Sequence, residues 1–180
     1  MSRRRRIVIA IAAVLVAALG YSQYWVLKGR VATVEPGRLY RSAQLPPGRL
    51  LEICRRYRVT TVVDFRENPA EIRTEADVLA REGIRHVSLA TGQVPSAETV
   101  AQFLRVMDAR RNEPVLIHCT HGVGRTGVFS AIYRMEYQGW PRWRAIAEAM
   151  LVAGFDSFGP DSPKRTFLSG YVPRRSEHTR

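Results

Sequence analysis

The sequence predicts an α/β domain, with a mostly parallel central sheet flanked by helices, placed behind one N-terminal transmembrane helix. Three observations carry that reading. Short apolar runs rich in β-branched residues alternate with segments of helical period, which is the pattern of strands joined by helical crossovers. One run passes through a glycine-containing loop into another helix, as Val115-Leu116-Ile117-His118-Cys119-Thr120-His121-Gly122-Val123-Gly124-Arg125-Thr126-Gly127. At the N-terminus an arginine cluster abuts a long apolar stretch.

The chain has 180 residues, 46% hydrophobic and 24% charged, without internal repeats or low-complexity tracts. That suits one globular domain with an appendage. The formal charge of +12 is unevenly spread, because the first 30 residues hold six Lys and Arg and no acid. Arg3-Arg4-Arg5-Arg6 precede an unbroken apolar run from Ile7 to Leu19, and the segment continues through Tyr21, Tyr24 and Trp25 to Leu27. Residues 7–27 match the roughly 20 residues of a membrane-spanning helix, with the aromatic residues where an interfacial belt would lie. A cleaved signal peptide competes, since Ala18-Leu19-Gly20 is a passable small-residue cleavage site. A nucleic-acid-binding arm is disfavoured because the basic run leads directly into a membrane-type segment. Arginines held in the cytoplasm would place the following domain outside it, in a periplasmic or extracytoplasmic position. Lys28, Arg30, Arg38 and Arg41 weaken that bias and keep a cytoplasm-facing domain open. The expected organisation is a basic segment and anchor over residues 1–30, a domain over 31–172 and a polar tail over 173–180.

Within the domain, residues 31–34 and 38–42 flank Glu35-Pro36-Gly37 and read as a hairpin with a Pro-Gly turn. A helix over 48–57 follows, with Cys54 on its apolar side, and then an apolar strand over 60–65. The polar stretch Arg66-Glu67-Asn68-Pro69 leads into a helix over 70–82, which Gly83 ends. Residues 85–89 form the next strand, and Ser96 opens a helix reaching about residue 110. The central strand, its loop and a helix over 126–138 come next, followed by helices over 143–153 and 162–171. Trp140, Trp143 and Phe155 read as packing residues. In such a sheet ligands gather at the carboxyl ends of the strands, where Asp64, Arg66, the segment after Leu89 and Cys119 all lie.

The loop after Val115-Leu116-Ile117-His118 has the parts of an anion site. Successive backbone N–H groups at a helix N-terminus favour negative charge, and Gly122 and Gly124 allow the tight path. Arg125 supplies a planar fork matching two oxygens of a phosphate. The same positive field lowers the pKa of Cys119 and makes it a nucleophilic thiolate. A cysteine at a strand end is by itself an ordinary core residue; the spacing to Arg125, the two glycines and the following Thr126-Gly127 make the difference.

The pattern His118-Cys119-x-x-Gly122-x-x-Arg125-Thr126-Gly127 resembles the signature of the cysteine-dependent protein tyrosine phosphatase superfamily. The stretch from Pro36 to Gln44 resembles the opening segment of its compact bacterial, dual-specificity-like branch, so the likeness runs from about Val34 to Gln138. The resemblance implies a phosphatase acting on phosphotyrosine or other phosphomonoesters through a cysteinyl-phosphate, without a metal or other cofactor. It implies Cys119 as nucleophile and Arg125 with the loop residues Thr120, His121, Gly122, Val123 and Gly124 as the phosphate cradle. Thr126 would help the thiolate leave, and His118 would support the cysteine from behind. His121 faces either substrate or solvent. The residues show no zinc-type His/Cys spacing, and two cysteines do not make a disulfide framework.

Such chemistry needs a carboxylic acid to protonate the leaving oxygen. The stretch from Ala90 to Ala97 contains none. Asp64 is the first choice because it ends a strand on the correct side of the sheet, with Glu67 and Glu98 behind it; a carboxylate paired with Arg66 is the competing reading. The loop also lacks the lysine that often accompanies inositol phosphate recognition in related enzymes. This favours phosphotyrosine or a general monoester, with an inositol phosphate or phosphoinositide as the alternative substrate. A membrane-tethered pseudophosphatase that only binds phosphorylated partners is a further reading, and a sulfurtransferase fits the arginine spacing less well.

Overall fold

The computed structural model describes residues 3–27, 29–153 and 155–174. The chain divides into two compact units, Met1–Arg30 and Val31–Arg180. The first unit holds helix α1, Arg3–Leu27. Among the described residues no helix is long and apolar enough to cross a membrane. This corrects the expected N-terminal transmembrane helix, the anchoring through residues 7–27 and the extracytoplasmic placement derived from it. The first four positions of α1 are arginines, and Gly20, Ser22 and Gln23 interrupt its later part. The unbroken apolar run from Ile7 to Leu19 is shorter than the roughly 20 residues that a bilayer core requires.

The second unit begins with a hairpin, β1 (Ala32–Glu35) and β2 (Leu39–Ser42), which turns through Gly37 at φ 75°. Then follow α2 (Pro47–Tyr57), β3 (Thr61–Asp64), α3 (Pro69–Arg81), β4 (Arg85–Ser88) and α4 (Ala97–Asp108). The central strand β5 (Val115–His118) leads into α5 (Gly124–Tyr137), and α6 (Arg142–Ala153), α7 (Phe155–Phe158) and α8 (Pro163–Gly170) complete the unit. Local chemistry fixes several boundaries. Asn68 caps α3 by accepting from the Ala70 and Glu71 N–H groups, and Ser96 caps α4 through the Thr99 N–H; each satisfies donors that the first helical turn leaves open.

The strand order is β1-β2-β5-β3-β4. The sheet is mixed: β1 runs antiparallel to β2, whereas β2–β5, β5–β3 and β3–β4 are parallel. Strand β5 therefore lies between β2 and β3, and all four of its residues are buried. Alternation divides its side chains between two cores. Ile117 joins Val63, Phe65, Phe103, Phe129 and Ile132 on the side of α4 and α5. Leu116 joins Val62, Leu50, Ile53 and Leu79 on the side of α2 and α3. Phe65 and Phe129 stack at 4.0 Å between ring centroids, so the residue after β3 grips the helix that carries the loop. Burial of each such ring contributes about 1.5–3 kcal/mol.

Cys54 lies in the α2–α3 core, Cys119 in the opposite one, and both are free thiols. Trp140 lies between the guanidinium groups of Arg134 and Arg144, at 4.4 and 3.8 Å. Trp143, expected to pack, is 71% exposed. The expected polar tail is partly held: Arg174 pairs with Glu136 at 3.0 Å and with Asp108 at 2.8 Å, while residues 175–180 lie outside the described residues, as does the side chain of Phe155.

Candidate active site

The site begins where β5 ends. Cys119 follows the strand, Thr120 to Val123 form the loop, and α5 starts at Gly124. Two supports come from the strand next door. Arg41 on β2 donates from Nη2 to the Gly122 carbonyl at 2.7 Å, and the Gln44 N–H donates to the Thr120 carbonyl at 3.1 Å. Gly122 has φ +68°, and a Cβ there would lie 2.5 Å from the Ala43 nitrogen and 2.6 Å from the Ser42 carbonyl. Both the conformation and the close approach require glycine. The loop is thus pressed onto the backbone of Ser42 and Ala43. The stretch Arg41-Ser42-Ala43-Gln44 was read in the sequence as the end of a hairpin strand and as part of a resemblance; the structure gives it a mechanical purpose.

Cys119 is 3% exposed. Burial would raise its pKa, but the Thr126 hydroxyl, the Thr126 and Gly122 N–H groups and the Arg125 charge outweigh burial and lower it below the ordinary thiol value. The Thr126 hydroxyl is buried with no hydrogen-bond partner, and its influence on Cys119 is to lower the thiol. Arg125 is held at both terminal nitrogens: Nη1 donates to the Phe65 carbonyl at 2.9 Å and to the Thr91 carbonyl at 3.2 Å, and Nη2 donates to Thr120 Oγ1 at 3.4 Å. The carbonyls after β3 and β4 therefore orient the fork. Thr120 and His121 are exposed at the rim, and Val123 and Gly124 are half-buried at the start of α5. Cys119, Arg125, Thr126 and the loop are brought together as the spacing predicts.

His118 and Asp64 point to the other side of the sheet. They face each other in register across β5 and β3, and both are buried. His118 Nε2 lies 2.8 Å from Glu75 Oε1. Asp64 is fully buried, and the Arg66 guanidinium bridges both of its oxygens at 2.8–3.1 Å while also donating to Glu75 Oε2 at 2.9 Å. Burial alone would raise the Asp64 carboxyl, yet His86, Arg66 and His118 hold it far below the usual carboxylate range. Glu75 is held down to about 2 against its burial, by His118, His86 and Arg66. His86 is raised to about 9 against its burial by Asp64 and Glu75. The competing reading of Asp64, a carboxylate paired with Arg66, is the arrangement found.

Asp64, Glu75 and His86 do bring three possible metal ligand atoms within 4.8 Å of one another. Arg66 already bonds both carboxylates, so a guanidinium and a protonated imidazole balance the two negative charges there. Of the other two acids, Glu98 is occupied on α4 by Arg105 at 2.8 Å and Gln102 at 3.1 Å. Glu67 is exposed, and its Oε2 lies 3.4 Å from Arg125 Nη1. It is the carboxylate that reaches the loop. Glu75 and Arg41 were missed in the sequence because each acts through a contact across the fold, with no local motif to mark it.

A family model described as "DSP-PTPase phosphatase fused to NAD+ kinase" matches residues 35–157. The chain belongs to this phosphatase family. Among curated proteins, the dual specificity protein phosphatase TpbA of Pseudomonas aeruginosa strain PAO1 is 38% identical over 136 residues, which is 74% of this chain and 57% of TpbA. The mRNA-capping enzyme of Danio rerio is 33% identical over 87 residues, 44% of this chain and 14% of that enzyme. The chain spans about half the length of the curated TpbA sequences it matches. The crystal structure of P. aeruginosa TpbA superposes with a TM-score of 0.61 at 32% identity, covering 79% of this chain and 84% of TpbA. The catalytic core of the PP-IP phosphatase Siw14 from S. cerevisiae shares the fold, with a TM-score of 0.67 at 20% identity over 82% of this chain and 88% of that one.

Proposed function

We propose that the protein is a cysteine-dependent phosphatase that hydrolyses phosphomonoesters, with phosphotyrosine as the preferred substrate class, through a cysteinyl-phosphate intermediate. One observation carries this reading: a cysteine with a lowered pKa lies at the N-terminus of α5, with an arginine fork held beside it by two backbone carbonyls. Among relatives, a TpbA variant was crystallised in complex with phosphotyrosine, and its structure covers 77% of this chain at a TM-score of 0.58 and 29% identity.

The Cys119 thiolate attacks phosphorus, a P–S bond forms, and the ester P–O bond breaks. Arg125 and the N–H groups of Thr120 to Arg125 hold the equatorial oxygens, where the charge of the transition state develops. The departing oxygen takes a proton from a carboxylic acid at the rim. Glu67 fills that role, being the carboxylate next to Arg125, whereas Asp64 stays ionised within its pair with Arg66. Water then attacks phosphorus, giving its proton to the carboxylate left on Glu67, the P–S bond breaks, and the Thr126 hydroxyl receives the returning thiolate. His118 and Glu75 support the base of the loop from the α3 side.

The test is hydrolysis of aryl phosphates by the full chain. Cys119→Ser should abolish turnover. Glu67→Gln should slow esters with poor leaving groups about 10²-fold or more, the scale of general acid catalysis, and leave a nitrophenyl ester nearly unaffected. Equal slowing of both esters would remove Glu67 from proton transfer. Tight phosphotyrosine binding with no turnover by the wild type would support the pseudophosphatase reading instead, for which the sealed Asp64 is the structural argument.

A further inference from the structure

Beside the loop stands a cation that the mechanism above does not use. Lys164, near the start of α8, is 9% exposed, and its ammonium donates to Gln93 Oε1 at 3.0 Å. That neutral amide is its one polar partner among the described residues. The residue is nearly buried, and its ammonium meets a neutral amide rather than a carboxylate. A Cβ placed on Gly124 would lie 3.0 Å from Lys164 Cε and 3.7 Å from Nζ, so the lysine lies against the first residue of α5. The lysine thus adjoins the positive end of that helix, which also carries Arg125, and among the described residues no carboxylate forms an ion pair with it. An anion in the loop would relieve the excess.

The surroundings keep the lysine in place and leave access to it. Gln93 comes from the β4–α4 loop, whose Thr91 carbonyl also orients Arg125. Gln93 and Lys164 line a cleft of about 380 Å³ together with Gly159 to Pro163, the wall that precedes Lys164 in the chain. Asp161 lies on that wall but forms no ion pair with Lys164. The absence of a lysine between Cys119 and Arg125 is thus offset from the far end of the domain.

We propose that Lys164 is a second anion-binding cation of this site, held over Gly124 by Gln93, which contributes directly to binding the phosphate dianion. The inference rests on the phosphatase reading, since it assumes that phosphate occupies the loop. With the thiolate set against Arg125, the added charge of Lys164 matches a dianion better than a monoanion. Sulfate is a dianion as well, so its binding should depend on Lys164 in the same direction.

The experiment uses inorganic phosphate as the probe and needs no turnover. Full-length Cys119→Ser protein is titrated calorimetrically, alone and combined with Lys164→Met or Lys164→Arg. Methionine keeps an apolar stem against Gly124 and removes only the charge. Lys164→Met should weaken phosphate binding about tenfold or more, the scale of one charge-assisted hydrogen bond. Lys164→Arg should recover most of that loss, and sulfate, also a dianion, should respond in the same direction. A lowered melting temperature in Lys164→Met with unchanged phosphate affinity would overturn the proposal and leave Lys164 as a structural residue. Binding of phosphate with equal affinity to all three proteins would refute it while sparing the loop. No binding even to the parent Cys119→Ser protein would remove both the loop as a phosphate site and the proposal.

Discussion

The two cysteines show how much position within the fold decides the chemistry of one side chain. Both are buried, and both lie among apolar residues. Burial and the charge of Glu75 push Cys54 up to about 12, whereas Thr126, Gly122 and Arg125 overcome burial at Cys119 and lower it. The group with the lower pKa holds more thiolate at any given pH, so alkylation by iodoacetamide should inflect for Cys119 below the ordinary thiol value of about 8.5. Cys54 should stay unmodified until the protein unfolds. Peptide mapping across a pH series measures both, and a Cys119 inflection at or above the ordinary value would contradict the proposed activation. The distinction was legible in the sequence, since the seven residues from Cys119 to Arg125 with two glycines specify the loop. The place of Asp64 was not. A strand end identifies the side of the sheet where ligands gather, but the face onto which a side chain turns depends on its register with a neighbour distant in sequence. Val63 and Phe65 face α5, which sends Asp64 towards α3 and Glu75.

At the scale of elements, the buried charges tie β3, α3, β4 and β5 into one unit through Asp64, Arg66, Glu75, His86 and His118. That unit holds the strand end from which Cys119 departs. Breaking one partner of such a buried set costs about 3–5 kcal/mol, so Glu75→Gln should lower the melting temperature sharply. The pH dependence has a definite sign. Glu75 is depressed in the folded state, so its contribution is fully present above its ordinary value of 4.5 and is lost as pH falls towards about 2. His86 is raised, so its contribution is fully present below its ordinary value of 6.5 and is lost as pH rises through about 9. Stability from this network should therefore be greatest between those two ordinary values, and thermal melts across pH would show it. An alkaline decline that is the same in Glu75→Gln and wild type would contradict the coupling of His86 to Glu75. Elements with a chemical start or stop signal were well placed by sequence alone, as at Ser96 and Gly83. Helix α7 was missed because its four residues are too short to carry a period. The N-terminal segment was misjudged because length was counted through Gly20 and Gln23 as though it were uniformly apolar.

For the whole molecule, the alternation of strands and helices was readable, but the order in which the strands assemble was not. Strand β5 is last in sequence and central in the sheet, between β2 and β3. That arrangement brings Arg41 from one neighbour beneath Gly122, and the Phe65 carbonyl from the other against Arg125. The distant Lys164 closes over Gly124 from α8. The loop is thus a local motif whose working geometry is supplied by three separate parts of the chain. The proposed turnover depends on Cys119 forming a bond to phosphorus. Rapid acid quenching of the full chain during aryl phosphate turnover, followed by mass spectrometry of the Cys119 peptide, tests this most directly. The account predicts a peptide carrying one phosphoryl group on Cys119, absent from Cys119→Ser. Turnover that continues in Cys119→Ser, or phosphate trapped on another residue, would contradict it.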